Sequence, residues 1–176
     1  LARGAAVMGA TEHPSVTEPM AFLQAQGWAI EKLAVDSEGL IPLHSVQDQA
    51  ARALFASVMW ANNETGVVQP IPAIAAELRE AGTIVHCDAT QAAGKVPVDF
   101  SASNVQLMTL SSHKIYGPKG AGALVVDRSV ALVPQIQGGG QERELRGGTE
   151  NVAAIVGFGK AAELALSELE ERRVHQ

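Results

Sequence analysis

Thr109-Leu110-Ser111-Ser112-His113-Lys114-Ile115-Tyr116-Gly117-Pro118-Lys119-Gly120-Ala121-Gly122 begins as the end of an apolar strand, Val105 to Leu110. It then sets two hydroxyls, an imidazole and an amine on consecutive positions and closes in a Gly/Pro loop. Strand ends followed by tight loops are where α/β proteins place ligands. A lysine among small polar residues in such a place is either a Schiff-base amine or a solvated turn residue. Ser-Ser-His-Lys alone does not separate the two.

Around this stretch, short apolar runs alternate with amphipathic ones. Ala5 to Ala10 reads as a strand, and the turn Thr11-Glu12-His13-Pro14 leads into a helix from about Ser15 to Gln26, stopped by Gly27. Trp28 to Val35 reads as a strand, Pro42 to Ala51 as a short helix, and Ala53 to Trp60 as a continuously apolar buried strand. Ile71 to Ala81 carries Ile71, Ile74, Ala75 and Leu78 on one stripe, with Gly82 placed as a helix C-cap. Thr83 to Cys87 is a strand ending at Asp88, Gln91 to Gly94 starts a short turn or helix, and Gly122 to Asp127 is a strand after the lysine loop. Gly138 to Gly148 is a surface loop, and one final helix is expected from about Asn151 to Arg173. Repeated strand–helix–strand units imply an α/β fold, a mostly parallel mixed sheet covered by helices on both faces.

With 176 residues, 47% of them apolar and 18% charged, the chain is neither disordered nor fibrous, and it carries no internal repeat or low-complexity linker. A formal charge of −6 argues against nucleic acid or an anionic membrane as a bulk partner, since both call for a basic face. The single cysteine, Cys87, excludes an internal disulfide framework and fits a reducing, cytoplasmic compartment. No run of 18 apolar residues is present to span a membrane. Leu1 begins the chain without an initiator Met or a signal-peptide core, and Glu168 to Gln176 stops within a helical pattern, so both ends read as cut.

Three loops each follow a buried strand: Asn62-Asn63-Glu64, Asp88-Ala-Thr-Gln91 and Ser111-Ser-His-Lys114. Parallel strands would open all three on one edge, gathering a carboxylate, amides, hydroxyls, an imidazole and an amine. That set suits pyridoxal phosphate, which requires an amine, a carboxylate for its pyridine nitrogen, and donors for its phosphate and phenolic oxygen. An Asp facing a pyridinium gains an opposite charge at close range, which favours both ionised forms.

Asn62-Asn-Glu-Thr-Gly-Val-Val-Gln-Pro-Ile71, His86-Cys-Asp-Ala-Thr-Gln-Ala-Ala-Gly-Lys95, Ser111-Ser-His-Lys-Ile-Tyr-Gly-Pro-Lys-Gly120 and Gly138-Gly-Gly-Gln-Glu-Arg-Glu-Leu-Arg-Gly-Gly-Thr-Glu-Asn151 resemble the corresponding stretches of cysteine desulfurases of the NifS/IscS type. These are fold-type I, class V aminotransferase-like enzymes. The resemblance runs from about Ala10 to the C-terminus and rests on all these motifs in order.

The resemblance implies that residues 1–176 are a partial pyridoxal-phosphate-binding large domain, with the small C-terminal domain absent. It implies that Lys114 forms the internal aldimine and shuttles the α-proton, that Asp88 pairs with the pyridine nitrogen, and that Gln91 bonds the phenolic oxygen. Ser111 and His113 would hold the phosphate. His13 would stack on the ring and act as acid or base, and Asn63 would touch the phenolic oxygen or the substrate carboxylate. Thr149 would reach the phosphate of the partner subunit's cofactor, which implies a homodimer. The implied reaction takes sulfur from L-cysteine, leaving alanine and an enzyme persulfide that feeds a sulfur-acceptor scaffold protein for iron–sulfur clusters or tRNA thiolation.

The resemblance also places the persulfide cysteine, the arginine for the substrate carboxylate and the upstream phosphate-cupping loop outside this chain, so the chain alone is expected to lack desulfurase activity. Cys87 reads as inert packing within a buried strand. Plainer readings stand beside each role: His13 as a surface residue before Pro14, Asp88 as a helix N-cap, Asn62 or Asn63 as turn formers, and Ser112 as backbone support. Lys95 and Lys119 are competing amines, Lys119 within its Gly-Pro-Lys-Gly turn. A phosphate-loop reading of Gly117 to Gly122 fails for want of Gly-Lys-Ser/Thr. The alternatives are another class V enzyme, such as a selenocysteine lyase or an aminotransferase, or a non-catalytic dimerisation module.

Overall fold

The computed structural model describes residues 4–50 and 52–174. Its sheet contains β1 (Ala5–Gly9), β2 (Ala29–Leu33), β3 (Phe55–Met59), β4 (Ile84–Asp88), β5 (Leu107–Ser111) and β6 (Gly122–Val126). They lie in the order β2-β1-β3-β4-β5-β6. The first five are mutually parallel, and β6 closes the edge antiparallel to β5. This is the expected mostly parallel mixed sheet. The crossovers carry α1 (Pro14–Ala25), α2 (Leu43–Ala50) and α3 (Ile71–Glu80), and α4 (Val152–Ser167) and α5 (Leu169–Val174) follow the long loop after β6.

Helices cover both faces because β1 and β3 are apolar on both. Val7, Ala56, Val58, Val85 and Cys87 turn one way and pack with Val46 of α2 and with Ile74, Ala75 and Leu78 of α3. Ala6 and Met8 turn the other way, onto Met20, Val16 and Leu23 of α1. Ile71, Ile74 and Leu78 are almost completely shielded, and burying each such side chain contributes roughly 1.5–3 kcal/mol. The continuous run of β3 and the helical stripe of α3 are therefore two halves of one contact.

Several boundaries differ from the sequence reading. Ala51, its expected end for the second helix, lies outside the described residues, as do 1–3 and 175–176. The α1 helix starts at Pro14, whose missing N–H costs nothing in a first turn. Pairing of β5 begins later than Val105 because Asn104 adopts a left-handed φ of 62° and turns the chain into the sheet. Ser111 thereby becomes the strand's last residue, and Ser112–Lys114 form a single 3-10 turn. The single terminal helix is two. Ser167 donates its hydroxyl to the Leu164 carbonyl, which also accepts from Glu168, and Glu168 leaves the helical region at φ −99° and ψ 5°.

Candidate active site

Four parallel strands end on one edge of the sheet. Met59 lies in register with Asp88, and Asp88 with Thr109, so the loops after β3, β4 and β5 emerge side by side. The loop after β1 joins them. Asn62 Nδ2 donates to the Thr11 carbonyl at 2.9 Å, and the Met59 N–H donates to Glu12 Oε1 at 2.5 Å. The Trp60 N–H donates to the Asp88 carbonyl at 2.9 Å, and the Ala89 N–H to the Thr109 carbonyl at 3.1 Å. Backbone hydrogen bonds thus continue past the strand ends and set the loops' relative heights.

Asp88 is buried at the tip of β4, and its Oδ1 accepts the Thr90 N–H at 2.9 Å. Gln91 follows on a half-buried turn, where its Oε1 accepts from Lys95 Nζ at 2.6 Å. Lys114 ends the 3-10 turn and is exposed. Ser111 Oγ lies 3.1 Å from His113 Nδ1, so hydroxyl and imidazole form one polar pair beside the lysine. The turn under Lys114 is stiff: Ser112 is fully buried and its carbonyl accepts from both Ile115 and Gly117. A Cβ on Gly117 would collide with the Ser112 hydroxyl and come within 3.1 Å of that carbonyl and 3.0 Å of Ala161 Cβ, so glycine is the residue that fits between the turn and α4.

The two asparagines divide their work. Asn62 Oδ1 accepts from the N–H groups of Glu64 and Thr65 and from the Thr65 hydroxyl, which spends its side chain on the loop. Asn63 is exposed, and no hydrogen bond of its side chain is found among the described residues. His13 is the N-cap of α1, its Nδ1 accepting the Ser15 N–H at 3.1 Å. That bond leaves the neutral ring's proton on Nε2. Thr149 sits exposed in the loop before α4, with no hydrogen bond to any of these residues. A single chain brings the other seven positions to one edge and leaves Thr149 to a separate loop.

Burial sets the electrostatics. Glu12 is pushed up to about 8, first by loss of solvent and then by the Asp88 charge, against the opposing Met59 N–H. Its second oxygen, Oε2, is buried without a partner, which a protonated acid tolerates better than a carboxylate. Burial lowers the His86 pKa, with the Asp88 charge acting against it. The ring bridges the Ser57 hydroxyl at 2.8 Å and the Thr109 hydroxyl at 3.2 Å, tying β3, β4 and β5 together below Asp88. Cys87 faces the opposite side of β4 within the core, and burial pushes its thiol well above the ordinary range. Its burial within the core is as expected.

Sequence reasoning passed over two residues here. Glu12 was legible only as part of a turn, because nothing local tells that an acid beside His13 will be buried. Lys95 counted as a competing amine, although its spacing of four from Gln91 on a helical turn was the available signal. Among the described residues, no group of three His, Cys, Asp or Glu side chains could hold a metal ion. No described helix is long and apolar enough to cross a membrane.

The mostly parallel sheet with helices on both faces recurs in proteins of one family. The model of the family described as "Aminotransferase class-V" matches residues 2–176, and the chain belongs to that family. It is 50% identical over 161 residues to "Cysteine desulfurase IscS" of Anaeromyxobacter sp. (strain Fw109-5), covering 90% of this chain and 40% of that protein. It is 48% identical over 169 residues to "Cysteine desulfurase IscS" of Neisseria meningitidis (strain Z2491), covering 94% of this chain and 42% of the relative. A solved "NIFS-LIKE PROTEIN" superposes with a TM-score of 0.93 at 37% identity, covering 96% of this chain and 47% of that one. The chain spans less than half the length of the relatives it matches.

Proposed function

We propose that this chain is the cofactor-binding part of a pyridoxal-phosphate-dependent cysteine desulfurase. The observation that carries the reading is the placement of Lys114, on a rigid turn after β5, on the same sheet edge as the buried Asp88 carboxylate after β4. The donor set fits the cofactor. Asp88 keeps an oxygen beyond its bond to Thr90, Gln91 keeps an NH2, and a hydroxyl–imidazole pair stands beside the amine.

Pyridoxal phosphate supplies an aldehyde that an amine can capture and a ring that takes up negative charge from the substrate's α-carbon. Asp88 holds a proton on the pyridine nitrogen, which that charge uptake requires. Gln91 Nε2 would donate to the phenolic oxygen, and Ser111 and His113 would hold the phosphate. Lys114 Nζ takes the proton from the α-carbon of L-cysteine. His13 would stack on the ring and would present its Nε2 proton, because Nδ1 is committed to the α1 N-terminus. Asn63 Nδ2 reaches the phenolic oxygen or the substrate carboxylate.

Sulfur leaves when a thiolate attacks the substrate's sulfur. An S–S bond forms and the C–S bond breaks with its electrons kept on the β-carbon; protonation there, and return to the α-carbon of the proton that Lys114 took, give alanine. Cys87 cannot serve as that thiolate from within the core, so the acceptor is a cysteine outside this chain. The working unit is a homodimer in the cytoplasm, with Thr149 reaching the phosphate in the partner subunit and the persulfide passing to a scaffold protein. The names of the relatives support this reading. Its test is alanine production from L-cysteine by the full-length protein with Lys114→Ala. Production should vanish; wild-type production would overturn the assignment.

A further inference from the structure

Gln91 and Lys95 meet on the short helical turn that follows Asp88. The turn is held by Ala92 and Ala93, whose N–H groups donate to the Ala89 carbonyl, and by the Lys95 N–H, which donates to Ala92. Gly94 follows the left-handed path at φ +71°, and a Cβ there would come within 2.9 Å of Ala165 Cβ and 3.1 Å of Ile115 Cγ2. The turn is therefore seated against Ile115, the residue after Lys114. Within it, Lys95 Nζ donates to Gln91 Oε1 at 2.6 Å.

An ammonium has three donors and no acceptor, so the amide atom it meets must be the oxygen. An amide's two orientations are otherwise hard to tell apart; here the lysine decides. With Oε1 committed, both N–H groups of Nε2 are left over, and no described residue accepts them. Lys95 is also close enough to Lys114 for their charges to repel. Loss of solvent, and then the Lys114 charge, lower the Lys95 pKa.

We propose that Lys95 is a positioning residue of this site, holding the Gln91 amide so that its NH2, rather than its carbonyl, faces the phenolic oxygen of bound pyridoxal phosphate. The proposal rests on the preceding placement of Gln91. A donor there stabilises the phenolic oxygen as an anion. A flipped amide would set a carbonyl oxygen against that anion, replacing attraction by repulsion. Gln91 alone is free to flip. The pair Gln91 and Lys95 is not.

The test is the visible absorbance of the protein loaded with pyridoxal phosphate, followed as a function of pH. Lys95→Met should raise the midpoint of the pH-dependent colour change by about 1 pH unit, the scale of one charge-assisted hydrogen bond. Lys95→Arg, which also carries only donors, should restore the wild-type midpoint. Gln91→Ala should shift the midpoint by a similar amount, and adding Lys95→Met to it should shift it no further. An unshifted Lys95→Met midpoint overturns the proposal. So does an equal Lys95→Met shift in the Gln91→Ala background, because the lysine would then act through its charge alone. An unmoved Gln91→Ala midpoint overturns the proposal together with the placement of Gln91. The Lys114→Ala variant separates the larger reading: if it keeps the wild-type visible band, the lysine assignment itself falls.

Discussion

Glu12, in the loop after β1, accepts the backbone N–H of Met59, the residue in register with Asp88. An acid remote in sequence thus ends the β3 ladder beside the strand tip that carries the carboxylate. Its pKa of about 8 against an ordinary 4.5 means that the folded state binds its proton more tightly than the unfolded chain. The stability this contributes is complete below about pH 4.5 and is lost as pH rises through about 8. The gap corresponds to about 5 kcal/mol at most. Glu12→Gln keeps a neutral carbonyl for the Met59 N–H and should flatten the dependence. Denaturant midpoints of the two proteins between pH 5 and 9 should converge at the acid end and diverge at the alkaline end, with the variant more stable there. Parallel curves would show that Glu12 does not titrate with folding.

Asp88→Asn keeps the volume and the acceptor for the Thr90 N–H. It removes the negative charge. Affinity for pyridoxal phosphate, measured by titrating the visible band, should fall about 10- to 100-fold, the equivalent of one charge-assisted hydrogen bond, while the melting temperature stays near wild type. Unchanged affinity would place the pyridine nitrogen elsewhere.

Neighbouring asparagines should separate by readout. Asn62→Ala removes an acceptor shared by three donors and a donor to the Thr11 carbonyl, and should cost about 1–3 kcal/mol in chemical denaturation. Asn63→Ala should leave stability within about 0.5 kcal/mol of wild type and lower cofactor affinity or turnover. The reverse pattern would exchange the roles given to the two residues.

Gly117→Ala forces a methyl into the buried Ser112 hydroxyl and against the Ser112 carbonyl and Ala161 Cβ. It should cost about 1–3 kcal/mol and displace the Lys114 turn. The change is to be read in thermal unfolding together with the intensity of the bound cofactor's visible band. A variant that melts and colours like wild type would show that the turn has room to spare.

Much of this arrangement was legible in the chain. The apolar run of β3, the stripe of Ile71, Ile74, Ala75 and Leu78, and the polar residues after Met59, Cys87 and Leu110 gave both the layers and the loops, because helical and strand periods are local properties. Ser111, His113, Lys114, Asp88, Gln91 and Asn63 all lie at or within four residues of a strand end, and the family resemblance singles out each of them. The end of the last helix was not legible, because Ser167 and Glu168 compete for one carbonyl rather than breaking any composition rule.

By itself, the sequence determined the α/β alternation, the family resemblance, and which polar residues stand at strand ends. Strand order and direction, the antiparallel β6 and the burial of Glu12 were decided only by tertiary structure. The reason is the range of the forces involved. Periodicity and turn chemistry act over a few neighbouring residues, whereas desolvation and hydrogen bonding depend on which distant segments the sheet brings together. The lysine turn from Ser111 to Lys114 belongs to both: its chemistry is written in four consecutive residues, and its aspartate partner arrives from the neighbouring strand.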